Sequence, residues 1–300
     1  MKAVECDNIF KQFRYKGEKI QALSGLDLYI DKGEMYGFLG PNGAGKSTTI
    51  KILMDFIRAD KGSTKIFGID SKDVKSRAKI GFLPENPVFM DNLTGREILR
   101  FAGKSHGMSR GEIEKKSKEL LKRVELTEAS DRAVRKYSKG MIQRIGFAAA
   151  IIHDPELLVL DEPMSGLDPL GRVLFKDMLK ELNEKGTTIF FSSHIIPDIE
   201  DICTKIGIIK SGRMYNEIDD TELKYYSTES FRIIYRDEGV LPAEFKDEAV
   251  KVSDELSSVN VSKSRLDLVL SKMKEENFDI VDIQPLKKDL EDLFVEISEK

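Results

Sequence analysis

The chain has 300 residues, 40% of them apolar and 33% charged, with a formal net charge of −4. That length buries one full α/β domain and leaves room for a smaller second one, and the composition is that of an ordinary globular protein rather than a disordered or collagen-like one. The slightly acidic balance argues against a general nucleic-acid binder, which needs a clustered basic surface, so no nucleic-acid partner is expected.

No apolar stretch approaches the roughly 18 residues of a membrane span, and the richest, residues 145–152, is short and rich in alanine. The opening Met1-Lys2-Ala3-Val4-Glu5 lacks a basic segment running into an apolar one, so no signal peptide is read and a cytoplasmic chain is expected. Any work at a membrane would then pass through a partner. Cys6 and Cys203 have no Cys or His at metal spacing and read as reduced core residues.

In chain order, residues 4–10, 26–30 and 35–39 alternate or run apolar over strand lengths, with Gly25 and Gly33 at the expected turns, which predicts an N-terminal sheet. Leu39 leads into Gly40-Pro41-Asn42-Gly43-Ala44-Gly45-Lys46-Ser47-Thr48, after which Ile50, Ile52, Leu53, Phe56 and Ile57 recur with helical spacing. Gly40-x-x-x-x-Gly45-Lys46-Ser47 between a strand and a helix is the pattern of a P-loop. Its glycines let consecutive backbone N–H groups face phosphates, and the helix N-terminus adds positive potential. Lys46 should reach the β- and γ-phosphates of a nucleotide and Ser47 should ligate Mg²⁺. A chance Gly-rich turn is the plainer alternative, which the flanking strand and helix disfavour.

From Thr94 the pattern turns helical, with capping boxes at Thr94-Gly95-Arg96-Glu97 and Ser109-Arg110-Gly111-Glu112. An all-helical insert over about residues 86–153 is predicted. Strand and helix then alternate: a strand at 157–160, a helix opened by Asp168-Pro169, a strand at 187–191, a helix up to Cys203 and a strand at 206–209. Such alternation calls for a parallel sheet covered by helices. The strand at 157–160 ends in Asp161-Glu162, at the sheet edge where open α/β sheets bind ligands. Alone, such a pair is more often a solvated turn. Beside a P-loop, Asp161 suits the Mg²⁺ shell and Glu162 suits a base for an attacking water. Around Asp219-Asp220-Thr221 the motifs stop, and residues 231–235, 264–278, 279–283 and 286–297 suggest a small strand-and-helix module. The expected domains are therefore 1–220 and 221–300.

The ordered set of motifs resembles an ATP-binding cassette ATPase. Tyr137-Ser138-Lys139-Gly140-Met141, followed by Gln143-Arg144, is similar to that family's signature loop and stands just before Asp154-Pro155 and the acidic strand. Ser165-Gly166-Leu167-Asp168 matches its D-loop, and Ser193-His194 its switch histidine. The resemblance covers about residues 1–218. It implies an α/β fold with a P-loop NTPase core, a mostly parallel sheet flanked by helices, joined to an antiparallel N-terminal sheet and the helical insert; the tail adds a small C-terminal α+β module. It also implies hydrolysis of ATP with Mg²⁺.

By the same resemblance Phe13, with Tyr15 as the fallback, would stack on adenine, although either can instead be core packing. Ser138 and Gly140 would meet ATP held by a second cassette, which makes a homodimer the expected working form, and Asp168 of the D-loop counts among the nucleotide-binding residues. A hydroxyl and backbone N–H groups at a helix start suit an anion, but Ser138 alone would more commonly be an N-cap. His194 would hold the γ-phosphate and orient the water beside Glu162. His106 and His153 match no motif and read as structural.

Three departures stand out. Glu85, after Ile80-Gly81-Phe82-Leu83-Pro84, occupies a position that is most often Gln; it can ligate Mg²⁺ or a water but adds negative charge near the triphosphate, which bears on the timing of hydrolysis. Lys139 and Met141 stand where Gly and Gln are usual. With Pro84-Glu85-Asn86 these changes resemble the branch that drives two-component exporters. That implies a separate membrane-spanning permease docking near residues 85–101, with this chain peripheral on the inner face of the cell membrane. Leu290-Glu291-Asp292-Leu293-Phe294 is similar to the branch's C-terminal sequence and would give residues 221–300 a regulatory or dimer-stabilising role, against the plainer reading of ordinary core. The competing functions are a soluble cassette ATPase acting on DNA or ribosomes, and a nucleotide-binding regulatory module. No coiled coil, zinc-binding cysteines or second cassette supports the first, and retention of Lys46, Glu162 and His194 opposes the second.

Overall fold

The computed structural model describes residues 1–219, 230–236, 249–253, 256–276 and 278–286. It divides into two compact units, Met1–Ile218 and Asp219–Lys300. Among the described residues no helix is long and apolar enough to cross a membrane.

The larger unit opens with two long strands, β1 (Lys2–Tyr15) and β2 (Glu18–Asp31), paired antiparallel as a hairpin. The hairpin is longer than the strands expected at 4–10 and 26–30, and the turn expected at Gly25 does not form. Gly25 instead lies inside β2, opposite a stretch of β1 where the register shifts and Asn8 takes φ 49. The true turn is Lys16-Gly17, both at positive φ (48 and 89), the geometry of a two-residue hairpin loop. A lysine in place of the usual Asn or Asp left that turn without its common signal. The hairpin joins β4 (Lys61–Ile66) and β5 (Ile69–Asp70) in a sheet of order β2-β1-β4-β5.

A second sheet carries β3 (Met35–Leu39), β6 (Ile80–Leu83), β7 (Leu157–Asp161), β8 (Thr188–Ser193), β9 (Lys205–Lys210) and β10 (Arg213–Asp219) in the order β10-β9-β3-β8-β7-β6. The pairs β6/β7, β7/β8, β8/β3 and β3/β9 are parallel. Every residue of β3, β7 and β8 is buried, which explains their continuous apolar runs: a parallel strand covered on both faces has no solvent side to alternate towards. At the core Phe190 packs on Phe38 and Tyr36, with ring centroids 5.7 and 6.0 Å apart. Tyr36 reconciles its polar end with burial by donating its hydroxyl to Glu217 Oε1 at 2.8 Å.

The helices are α1 (Lys46–Leu53), α2 (Gly95–Ser105), α3 (Arg110–Arg123), α4 (Lys139–Ile151), α5 (Pro169–Glu184) and α6 (Ile196–Glu200). Both capping boxes form, at Thr94 with Glu97 and at Ser109 with Glu112. Helix α1 stops earlier than the apolar spacing suggested, because Asp55 turns left-handed (φ 57), and Phe56 packs instead on Phe82 with centroids 5.3 Å apart. Helix α6 likewise ends before Cys203, which is buried and free, as is Cys6.

The smaller unit has an antiparallel sheet of order β12-β13-β11-β14, from β11 (Ser230–Arg236), β12 (Ala249–Lys251), β13 (Leu256–Ser262) and β14 (Ile280–Leu286). Helix α7 (Leu266–Glu275) buries Val269 and Met273 in a cluster with Ile233, Tyr235, Val259 and Val261. Residues 290–294, whose sequence resembles an exporter-branch tail, lie outside the described residues.

His106 and His153 stack face to face, with centroids 3.5 Å apart and ring planes 8° from parallel. His153 also meets the Ile80 carbonyl at 3.1 Å through Nε2. Burial, reinforced by His106, pushes the His153 imidazole down from its ordinary 6.5 to about 4. The folded state therefore binds fewer protons than the unfolded one between those values, so this residue lowers stability as pH falls from about 6.5 to about 4. Urea unfolding across that range should show His153→Gln losing less stability on acidification than wild type; equal slopes would contradict the assignment.

Candidate functional site

Strands β3, β7 and β8 lie side by side and end level with one another, Leu39 opposite Ser193 and Asp161 opposite Ser192. The residues that follow them therefore converge at one edge of the sheet. After β3 the chain wraps into the loop 40–45, with Gly40 N–H directed at the Ser193 carbonyl at 3.4 Å, and enters α1. Gly45, the residue before that helix, has φ 116, and a Cβ on it would stand 2.7 Å from Leu23 Cδ2 and 2.9 Å from the Ala22 carbonyl, so only glycine fits. No side chain caps α1, which leaves its first-turn N–H groups directed at the cavity the loop encloses.

That cavity, of about 230 Å³, is lined by the loop from Pro41 to Thr48 together with Glu85, Glu162, Ser165 and His194. Of the expected loop residues, Pro41, Asn42, Gly43, Gly45, Lys46, Ser47 and Thr48 face it, while Gly40 and Ala44 form the frame behind. Lys46, only 5% exposed, donates from Nζ to the Gly40 carbonyl at 2.6 Å and the Pro41 carbonyl at 3.3 Å, and stands 3.3 Å from Glu162 Oε1. Glu162, 8% exposed, meets His194 Nδ1 through Oε2 at 2.9 Å, whereas its Oε1 accepts no hydrogen bond. With Glu162 ionised, Nδ1 carries the proton and the other ring nitrogen is left for a ligand.

Asp161 sits one layer deeper. Its Oδ1 accepts from Ser47 Oγ at 3.0 Å and from Ser192 Oγ at 2.7 Å. The Ser192 hydroxyl in turn accepts the Glu162 N–H at 3.0 Å. Ser192 is fully buried and holds both carboxylate-bearing residues, and the sequence reading missed it. Its only signal was a hydroxyl residue in the Ser192-Ser193-His194 run at the end of an apolar strand. Ser165, in the D-loop pattern, was also not singled out as cavity-lining.

Phosphate and metal fit the donor set. Lys46 is paired with Glu162, while Glu85 also lines the cavity and Asp161 stands behind Ser47, so the carboxylates outnumber the ammonium and a divalent cation beside a polyphosphate would balance the charge. Among the described residues no cluster of three or more His, Cys, Asp or Glu could hold a metal on its own. Mg²⁺, however, keeps several waters and takes substrate phosphate oxygens, so Ser47, Asp161 and Glu85 suffice as protein donors or water anchors.

Four expected ligand residues are not brought to this cavity. Ser138 is an N-cap, its Oγ accepting Met141 N–H at 3.2 Å, and Gly140 follows it on α4. Asp168 caps α5 by accepting Gly171 N–H at 2.9 Å. Phe13 is 38% exposed on the hairpin, opposite Ile20, with Lys11 Nζ 5.5 Å from its ring centre.

The profile of the ABC transporter family matches residues 23–165. Uncharacterized ABC transporter ATP-binding proteins of Synechocystis and Nostoc are 41% and 40% identical over 70% and 69% of this chain, which spans 60% and 62% of their lengths. The bacitracin transport ATP-binding protein BcrA of Enterococcus faecalis is 39% identical over 73% of this chain and 70% of its own. A dimeric ATP-binding cassette in a post-hydrolysis state, bound to ADP and Pi, superposes with a TM-score of 0.67 at 28% identity, over 72% of this chain and 98% of the other.

Removing the Ser192 hydroxyl strands a buried N–H and one acceptor contact. Ser192→Ala should therefore lower unfolding free energy by about 1–3 kcal/mol in urea titrations; an unchanged midpoint would show that these bonds hold nothing in place.

Proposed function

The chain belongs to the ABC transporter ATP-binding family, and from that premise we propose that it binds and hydrolyses Mg-ATP as the nucleotide-binding subunit of a membrane transporter. The observation that carries the reading is the convergence of Lys46, Ser47, Glu162 and His194 on one phosphate-sized cavity, with Asp161 held behind Ser47. Lys46 and the first-turn N–H groups of α1 take the β- and γ-phosphates. Bound Mg²⁺ would neutralise phosphate charge and favour expulsion of ADP. Glu162, whose Oε1 accepts no hydrogen bond, accepts the proton of the attacking water, and His194 orients that water and the γ-phosphate.

The positions of Ser138, Gly140 and Asp168 outside the cavity fit a role across a homodimer, each chain completing the other's site. Phe13, exposed on the hairpin, is the proposed adenine platform. The partner is a separate membrane-spanning permease meeting the helical insert near residues 85–101, which places the chain on the inner face of the cell membrane. Glu85 lines the cavity and also opens that segment, so it is suited to relay contact with the permease to the metal site. An exporter is the preferred direction, on the Lys139, Met141 and Pro84-Glu85-Asn86 pattern, and residues 221–300 form an accessory domain.

Lys46→Ala should abolish Mg-dependent ATP hydrolysis and weaken ATP binding, since the ammonium is the cavity's cation; wild-type turnover and affinity in that variant would remove the assignment. Detergent extracts should yield the chain together with a polytopic membrane protein. Stable attachment to ribosomes or DNA at physiological salt, with no membrane partner, would contradict the transporter reading.

A further inference from the structure

Glu162 has φ 46, a left-handed conformation that is unfavourable for an ordinary L-residue and persists only where its surroundings impose it. The main chain around it is fastened at three points. Its own N–H goes to Ser192 Oγ at 3.0 Å. Its carbonyl accepts Ser165 N–H at 3.1 Å. The next residue, Pro163, has no N–H to offer, so its carbonyl is the first group past Glu162 that can be held from outside, and Gln143 Nε2 donates to it at 2.9 Å. Gln143 is 1% exposed, and its Oε1 accepts nothing. Only the NH₂ side of an amide can face a carbonyl, so the single bond fixes the side chain's orientation.

Ser192 belongs to the central sheet, but Gln143 belongs to α4, the last helix of the insert. The same helix start makes a second attachment. The stem of Lys139 lies over Gly166 so closely that a Cβ there would stand 2.7 Å from Lys139 Cδ, and Lys139 Nζ reaches Ser165 Oγ at 3.4 Å. Gly166 has φ 77 and cannot readily be replaced. Segment 163–166, which begins beside Glu162 and supplies Ser165 to the phosphate cavity, is thus attached to α4 by two side chains.

We propose that Gln143, seconded by Lys139, is a positioning residue for Glu162: it ties the start of α4 to the main chain beside the base, so that the placement of the helical insert sets where the base stands. The inference rests on the reading of Glu162 as the base in ATP hydrolysis. A partner that shifts the insert then changes turnover without touching nucleotide, because binding depends on the loop 40–48 and turnover on Glu162.

The test is steady-state hydrolysis by full-length protein, with nucleotide affinity and melting temperature measured alongside. Gln143→Met keeps the shape and removes the donor. It should lower kcat by about 10- to 100-fold, the scale of a misplaced catalytic group, with KM within about twofold of wild type. Lys139→Ala, at an exposed position where folding is not at stake, should lower kcat by about threefold with KM retained. Wild-type kcat in either folded variant, or losses that appear in KM instead, would overturn the proposal. A wild-type chain that hydrolyses nothing would instead overturn the reading of the site.

Discussion

Burying a charge costs several kcal/mol unless partners replace its water, and the larger unit buries Lys46 and Glu162 3.3 Å apart with Asp161 next in the chain. Lys46 and Asp161 are each 5% exposed and Glu162 8%. Each is held by groups at the sheet's edge: the Gly40 carbonyl, just past β3, for Lys46, and the Ser192 hydroxyl of β8 for Asp161 and for the Glu162 N–H. Such an arrangement is stable only if β3, β7 and β8 end level, because a shift of one residue in any of them would turn its terminal side chain to the opposite face. The fully buried aromatic and aliphatic packing of those strands fixes that register. In this sense the hydrophobic core serves the site, and the site constrains the core.

Much of this was legible in the sequence, because the motifs are local. The P-loop needs glycines at fixed offsets between a strand and a helix, and the acidic strand announces itself by ending an apolar run in Asp161-Glu162. The parallel sheet followed from strand and helix alternation. What escaped depends on tertiary contacts. Ser192 and Gln143 are ordinary polar residues in sequence, and their importance appears only when one reaches Asp161 from a neighbouring strand and the other reaches Pro163 from the insert. The outer half of the β1–β2 hairpin was missed because its residues are exposed on an extended two-stranded arm and carry no inside-outside alternation.

The residues that do not reach the cavity are as informative as those that do. Ser138 and Asp168 are each occupied as helix caps, roles that fix the ends of α4 and α5. A capping oxygen retains further acceptor capacity, and the Ser138 hydroxyl can donate as well, so capping is compatible with contact to a second copy. The signature loop and the D-loop also lie against each other: a Cβ on Gly140 would stand 3.3 Å from the Gly166 carbonyl. Movement of one surface is therefore felt by the other, and both connect through segment 163–166 to Glu162.

Two proposed roles stand or fall together: Glu162 as the base of the ATP site, and a second copy of the chain as its other half. The most direct measurement compares Glu162→Gln with wild type for single-turnover hydrolysis and for size in solution, with Mg-ATP and with Mg-ADP. The amide preserves shape and removes basicity, so hydrolysis should fall by about 10²- to 10⁴-fold while ATP binding is retained, and the ATP-bound protein should accumulate as a dimer that ADP does not support. A Glu162→Gln protein that turns over ATP at the wild-type rate and stays monomeric would contradict both the base and the shared site.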